Sequence, residues 1–223
     1  MTEDLKTHTE AVTIPIGPNS LNADITMPPR VLRGIVLFAH GSGSSRLSPR
    51  NRTVARGLVG RGMATVLLDL LTEQEDQVDQ ITREYRFDIP LLARRLVAAT
   101  DWVLEQPRFR TAPIGYFGAS TGAAAALIAA AEKAERVSAV VSRGGRPDLA
   151  GEALPRVQAP TRLIVGGNDT AVIEMNRDAA GEMRCPVQVD IVPGASHLFE
   201  EPGVLERVME LAGEWFEQHL DSG

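Results

Sequence analysis

The sequence has a single cysteine, Cys185, among its 223 residues, so an internal disulfide is excluded. Proteins of oxidising compartments commonly depend on such bridges. The N-terminal segment carries acidic residues and lacks the apolar stretch of a signal peptide. These observations lead us to expect a cytoplasmic protein.

Long apolar runs and an excess of positive charge are also missing. A membrane-spanning helix needs about 20 apolar residues, whereas the longest apolar run here, Ala123 to Ala131, is short and mostly alanine. The 23 Lys and Arg are outnumbered by 29 Asp and Glu, which gives a formal net charge of -6. Nucleic-acid binding requires clustered basic residues. We therefore expect neither a membrane nor a nucleic acid as a partner.

The chain consists of short apolar segments that alternate with helical patterns. Two opening segments, Val12 to Ile16 and Ala23 to Met27, alternate apolar and polar residues and predict an antiparallel pair. Gly34 to His40 and Ala64 to Leu70 are continuously apolar, as in a buried parallel sheet. Later strands are predicted at Pro113 to Phe117, Val137 to Val141, Thr161 to Val165 and Val187 to Val192.

Helices are predicted between these strands, which implies right-handed crossovers and a mainly parallel sheet. Residues Thr72 to Arg86 have no clear periodicity and form either a loop or a solvated helix. We predict a single α/β domain over residues 1–223, with helices on both faces of the sheet. Active sites of such sheets lie at the carboxyl ends of the strands.

The segment Ile114 to Gly122 runs from a predicted strand into an alanine-rich helix and contains Gly-Ala-Ser-Thr-Gly. This pattern is typical of a nucleophile elbow, in which the serine occupies a tight strand-to-helix turn. The helix N-terminus beneath Ser120 favours developing negative charge. A glycine-lined turn with Ser120 as an ordinary helix cap is the structural alternative.

His197 is the candidate general base, because it follows the last predicted strand and comes after the serine in the chain. Asp169 follows the Thr161 strand and would hold the imidazole tautomer. The alternative role for Asp169 is capping of the next helix. Asp148, which follows the Val137 strand, is the competing candidate for the acid.

The strand that ends at His40 continues into Gly41-Ser42-Gly43. An oxyanion hole needs backbone N–H groups from this loop and from the residue after the nucleophile. We predict Ser42 and Thr121 as the donors, with Gly43 as the alternative to Ser42, and a structural role for His40. The loop lacks both nucleotide-binding glycine patterns, and we expect no cofactor and no metal.

Two arginines, Arg143 and Arg146, follow the Val137 strand and should lie at the active-site edge of the sheet. Together with Gly43 they are candidate substrate-binding residues, since guanidinium groups can hold a carboxylate or phosphate. The alternative is that they pair with surface acids such as Glu73, Glu75 and Asp76. Arg50, Arg83 and Arg86 are further candidates.

The chain resembles α/β-hydrolases of the dienelactone hydrolase-like group over nearly its whole length. The matching pieces are HGSGSS, GASTG, GGNDTAV and PGASHLF, in that order. The resemblance implies an eight-stranded sheet, a Ser120–Asp169–His197 triad and hydrolysis through an acyl-enzyme. Dienelactone hydrolases proper use a cysteine where this chain has Ser120, which favours a general carboxylesterase over a lactone-specific enzyme.

The chain between the Val137 and Thr161 strands is too short for a large lid, so an open site for small acyl esters is expected. An acyltransferase with the same triad is the second hypothesis. A non-catalytic hydrolase-fold binding module is the third, although its usual signature, a missing triad residue, is not found here.

Overall fold

The computed structural model describes residues 7–29 and 31–220. Their strands form one eight-stranded sheet in the order β1-β2-β4-β3-β5-β6-β7-β8. The strands are β1 (His8–Ile16), β2 (Asn19–Met27), β3 (Gly34–Ala39), β4 (Met63–Leu68), β5 (Ile114–Ala119), β6 (Val137–Arg143), β7 (Thr161–Gly166) and β8 (Val187–Val192). The helices are α1 (Pro49–Gly60), α2 (Glu73–Thr82), α3 (Ile89–Glu105), α4 (Thr121–Glu132), α5 (Thr170–Glu182) and α6 (Val204–His219).

The pairing of the strands follows the change in sequence pattern after the opening segments. β1 pairs antiparallel with β2, and β2 pairs antiparallel with β4. All remaining neighbours are parallel. The predicted fold, a mostly parallel eight-stranded sheet with helices on both faces, is confirmed.

Neighbouring residues of the central strand β5 point into two separate hydrophobic layers. Tyr116 packs with α3, α4 and α5 on one face of the sheet. Phe117 packs with α1 and α6 on the other face. Because both faces are covered, every residue of β5 is buried, which explains its continuously apolar sequence.

Helix α4 is the most apolar helix, and nine of its twelve residues are buried. Its alanines let it pack closely against the sheet and against α3. Neither α4 nor any other helix in the described part of the chain is long and apolar enough to cross a bilayer.

Two segments that the sequence left open take regular structure. The polar stretch after β4 forms α2, which begins with a capping box in which Thr72 and Glu75 bind each other's backbone N–H groups. Between β6 and β7 lies a short 3₁₀ segment, Pro147–Arg156. That connection is too small to form a large lid, as the sequence predicted.

A buried cation joins β7 and β8, the strands that lead to Asp169 and His197. Arg162 is 8% exposed, and its guanidinium donates to both carboxylate oxygens of Asp190, at 2.7 and 3.3 Å. It also donates to the carbonyl of Leu211 on α6 and lies over the Trp215 ring. The pair thereby fixes the two strands against each other and against α6.

We expect Asp190→Ala to lower the free energy of unfolding by about 2 kcal/mol, because it leaves the buried Arg162 charge with only the more distant carboxylate of Glu214, at 3.6 Å. Urea denaturation measures this change. Glu210→Ala is the control, because it breaks an exposed Arg207–Glu210 pair and should change stability by less than about 0.5 kcal/mol. Equal effects of the two substitutions would contradict the stabilising role given to the Arg162–Asp190 pair.

Candidate active site

The candidate catalytic residues lie together at the carboxyl edge of the sheet. Ser120 follows β5, Asp169 lies beyond β7, and His197 lies in the loop between β8 and α6. The glycine-rich loop that begins at His40 follows β3, which pairs with β5. The parallel arrangement therefore gathers segments that are far apart in the sequence.

Ser120 occupies a strained turn between β5 and α4. Its backbone has φ 51° and ψ -123°, a conformation that L-residues rarely adopt. Although it stands at the N-cap position of α4, its side chain makes no capping hydrogen bond. The hydroxyl has no hydrogen-bond partner among the described residues, so it is available to a substrate. The ordinary helix-cap alternative is therefore not supported.

The glycines on both sides of Ser120 are required by close backbone approaches. A Cβ at Gly118 would lie 2.4 Å from the Cα of Ala123. A Cβ at Gly122 would lie 2.2 Å from the carbonyl oxygen of Ala39 and 2.4 Å from that of His40. Helix α4 can start directly against the end of β3 only because both positions lack side chains.

The loop after β6 holds the backbone of Ser120 on both sides. The N–H of Ser120 donates to the carbonyl of Arg143 at 3.3 Å, and the carbonyl of Ser120 accepts from the N–H of Arg146 at 3.1 Å. The loop is itself anchored, because the buried Asn176 side chain donates to the carbonyl of Gly145 at 3.0 Å. The strained turn is thus supported by its neighbours.

Asp169 and His197 are hydrogen bonded to each other, with 2.7 Å between the carboxylate Oδ2 and Nδ1. Asp169 is the N-cap residue of α5, yet its side chain does not cap the helix. The competing acid, Asp148, instead forms a two-point pair with Arg146. Asp169, and not Asp148, is therefore the carboxylate that orients the histidine ring.

A backbone hydrogen bond joins the loop that carries Asp169 to the loop that carries His197, because the N–H of Asn168 donates to the carbonyl of Ala195 at 3.0 Å. Within the second loop, the N–H of Ser196 donates to the Glu201 carboxylate at 3.0 Å. The pKa of Glu201 is lowered first by a hydrogen bond from the Ser196 side chain, and then by the backbone N–H groups of Glu201 and Ser196. The loop that carries His197 also packs against the loop after β6. Gly144 lies so close to it that an added Cβ would be 3.1 Å from the carbonyl oxygen of His197.

The loop after β3 is held by His40 at its base. Nδ1 of His40 donates to the carbonyl of Gly41 at 2.9 Å, which leaves Nε2 to accept from the N–H of Leu70 at 3.0 Å. Burial lowers the pKa of His40, so the ring is neutral and serves both bonds. This geometry matches the structural role that the sequence suggested for it.

The two predicted oxyanion donors lie side by side, with one feature that the sequence did not indicate. The N–H of Ser42 donates to Oγ1 of Thr121 at 2.9 Å. The backbone N–H of Thr121 has no partner among the described residues. Thr121 thus contributes a free backbone donor and a hydroxyl that holds the neighbouring loop. Gly43, the alternative donor, has φ +67° and lies beside the Arg86 guanidinium.

Arg143 and Arg146 differ although they share one loop. Arg146 is paired with an acid, as the alternative interpretation held, but the acid is Asp148 instead of a residue of α2. Arg143 is 8% exposed, and its guanidinium lies 5.9 Å above the Phe199 ring. Its Nη2 reaches Oδ1 of Asn51 at 3.4 Å.

Asn51 and Phe199 are components of the site that sequence reasoning missed. Asn51 lies in the first turn of α1 and is 2% exposed. Phe199 is buried two residues after His197, with a positive φ of 56°. A bulky residue with positive φ is a strained position of the kind found at functional sites. Neither feature has a signature in the sequence.

The sheet order, the turn at Ser120 and the Asp169–His197 pair define an α/β-hydrolase. The chain belongs to the dienelactone hydrolase family, whose model matches residues 21–219. A crystal structure of dienelactone hydrolase from Anabaena variabilis is 56% identical, with a TM-score of 0.93, and the match covers 96% of this chain and 98% of that one.

Other relatives are similar in part or in fold. Two Mycobacterium tuberculosis proteins, from strains H37Rv and CDC 1551, are provisionally named as phosphoribosyl transferases. Each is 54% identical over 211 residues, which cover 95% of this chain and 46% of the relative. The chain thus spans about half the length of these curated relatives. Est1E from Butyrivibrio proteoclasticus has a TM-score of 0.78 at 17% identity, over 93% of this chain and 98% of that one, and shares the fold.

We expect Gly122→Ala to lower the free energy of unfolding by about 2–3 kcal/mol, since its Cβ would overlap the backbone at the end of β3. Displacement of α4 would also move the backbone N–H of Thr121 and reduce activity. The matched control is Gly181→Ala on α5, where the added Cβ meets nothing within 4 Å. It should raise stability by about 0.5–1 kcal/mol. Thermal denaturation compares the two, and a harmless Gly122→Ala would refute the packing argument.

Proposed function

We propose that this chain is a serine hydrolase that cleaves small acyl esters or lactones through an acyl-enzyme on Ser120. The observation that carries the proposal is the 2.7 Å bond from Asp169 to His197 at the sheet edge where Ser120 stands in its strained turn. A carboxylate so placed sets the histidine tautomer, with the proton on Nδ1 and a free electron pair on Nε2.

In the proposed mechanism Nε2 of His197 takes the hydroxyl proton of Ser120 as its oxygen attacks the substrate carbonyl carbon. Collapse of the tetrahedral intermediate breaks the ester bond, and His197 returns the proton to the departing alcohol oxygen. Water, deprotonated by the same nitrogen, then attacks the acyl carbon, and the bond to Ser120 breaks as His197 returns the proton to the serine oxygen and the acid leaves. The Asp169 carboxylate stabilises the imidazolium formed in each step.

The backbone N–H of Thr121 is the first proposed oxyanion donor, because it is unpartnered and lies at the N-terminus of α4. The N–H of Ser42 is the second. It is bound to the Thr121 hydroxyl in the free protein, and we propose that it shares its hydrogen between that hydroxyl and the oxyanion. Such three-centre bonds are common near helix termini.

The openness of the site supports small substrates. The His197 side chain is 40% exposed, and the connection between β6 and β7 contains a 3₁₀ segment without a lid. An open site buries few methylene groups, each of which contributes about 0.8 kcal/mol when removed from water. We therefore propose that short acyl groups are preferred over long lipid chains.

The names of the Mycobacterium tuberculosis relatives point to a different activity, phosphoribosyl transfer. More than half of their length lies outside the segment that matches this chain. The matched segment contains Ser120, Asp169 and His197. We propose that hydrolysis belongs to this segment and that the transferase function belongs to the remainder of those relatives.

A fluorophosphonate probe should label Ser120, and Ser120→Ala should abolish labelling while lowering kcat on p-nitrophenyl acetate by about 10⁶. The loss follows because no other group on the proposed path can hold the acyl chain. Gel fluorescence and steady-state kinetics measure the two effects. Ester turnover that survives Ser120→Ala undiminished would refute the assignment of the nucleophile.

Asp169→Asn should lower kcat by about 10⁴ with little change in stability, as in other triads where the amide fixes the wrong tautomer. Asp148→Asn is the matched control, because its carboxylate faces Arg146 instead of the histidine, and it should leave kcat within about threefold of the wild type. If the two variants exchange these behaviours, the acid is wrongly assigned.

A further inference from the structure

Arg143, whose backbone is hydrogen bonded to that of Ser120, has a buried guanidinium with no acidic partner among the described residues. Neither Nε nor Nη1 of Arg143 has a hydrogen-bond partner among residues 7–29 and 31–220. Its Nη2 has only the long 3.4 Å contact with the Asn51 amide oxygen, and its guanidinium carbon lies 5.9 Å from the centre of the Phe199 ring. Arg162 is equally buried but binds both oxygens of a carboxylate.

The surroundings of Arg143 add positive charge instead of balancing it. Burial first, and then the nearby Arg50 charge, lowers the pKa of Arg143 to about 10, so it remains protonated at neutral pH. Arg50 contacts Glu200, whose side chain is 62% exposed. The Nε of Arg50 has no partner among the described residues. An unpaired buried charge destabilises a protein unless something else compensates it.

Arg143 is connected through its backbone to the proposed nucleophile. It is the last residue of β6, and its carbonyl accepts the N–H of Ser120 at 3.3 Å. The next residue, Gly144, meets the His197 loop. The guanidinium lies between Asn51 on α1 and Phe199 on that loop. An anion bound by this guanidinium would therefore lie beside the loop that carries His197.

We propose that Arg143 and Arg50 form a subsite for an anionic group, a carboxylate or a phosphate, carried by the acyl part of the substrate. The subsite deepens the proposed serine hydrolase function and rests on it. The Arg50 side chain is 35% exposed and admits the anion from solvent, while Nε and Nη1 of Arg143, which have no partner among the described residues, donate to it. Asn51 and Phe199 hold the Arg143 side chain in place before the ligand arrives.

The test compares two p-nitrophenyl esters of equal size, the glutarate monoester and its terminal amide, which differ in one negative charge. The wild type should favour the anionic ester by about tenfold or more in kcat/KM, since it meets the Arg143 guanidinium and also Arg50, whose charge is shared with the exposed Glu200. Arg143→Met should lower this ratio to near one. Arg146→Met, whose charge is already paired with Asp148, should keep the wild-type ratio.

A binding measurement separates failure of the subsite from failure of the proposed hydrolysis. Glutarate or inorganic phosphate should raise the Tm of the wild type and not that of Arg143→Met, whether or not any ester is cleaved. A larger shift with phosphate than with glutarate identifies a phosphate group, and the reverse identifies a carboxylate. Absence of both the substrate preference and the Tm shift overturns the proposal.

The stability of Arg143→Met distinguishes a binding residue from a structural one. If the charge is kept for a ligand, its removal should leave the Tm of the free protein unchanged or higher, because an apolar chain of similar length replaces an unpaired ion. A lower Tm for Arg143→Met than for Arg146→Met would assign Arg143 to the fold and contradict the subsite.

Discussion

The turn between β5 and α4 leaves no room for a side chain at Gly118 or Gly122. Helix α4 begins within van der Waals contact of the end of β3, and Ser120, the middle one of the three residues between the glycines, has a positive φ. This one constraint brings Ser120 out of the sheet and places the N–H of Thr121 beside the β3 loop. The other residues of the candidate site are arranged around this turn.

The loops around the turn are coupled by hydrogen bonds that differ in kind. Backbone hydrogen bonds with Arg143 and Arg146 hold Ser120 in place, whereas a charge-assisted hydrogen bond joins His197 to Asp169. Asp169 and His197 are partly exposed, which suits the proposed proton transfer in an open site. The guanidinium of Arg143, which has no acidic partner among the described residues, is buried instead, so it lies in a different environment from the Asp169–His197 pair.

Much of this architecture could be predicted from the sequence, because strand periodicity and the Gly-Ala-Ser-Thr-Gly turn are local signals. The positions of Asp169 and His197 followed from their place after predicted strands. Burial of Arg143 could not be predicted, since it depends on Asn51 and Phe199, which are far away in the sequence. The partner of Arg146 and the bond from Ser42 to the Thr121 hydroxyl likewise depend on side-chain geometry that no periodicity encodes.

The central claim is that an acyl group resides on Ser120 during turnover. Rapid quenching of the reaction with p-nitrophenyl acetate, followed by peptide mass spectrometry, tests it most directly. We expect one acetyl group, carried by the peptide that contains Ser120, and its accumulation in Asp169→Asn if deacylation slows more than acylation. Turnover accompanied by an acetyl group on His197 or Cys185, and none on Ser120, would contradict it.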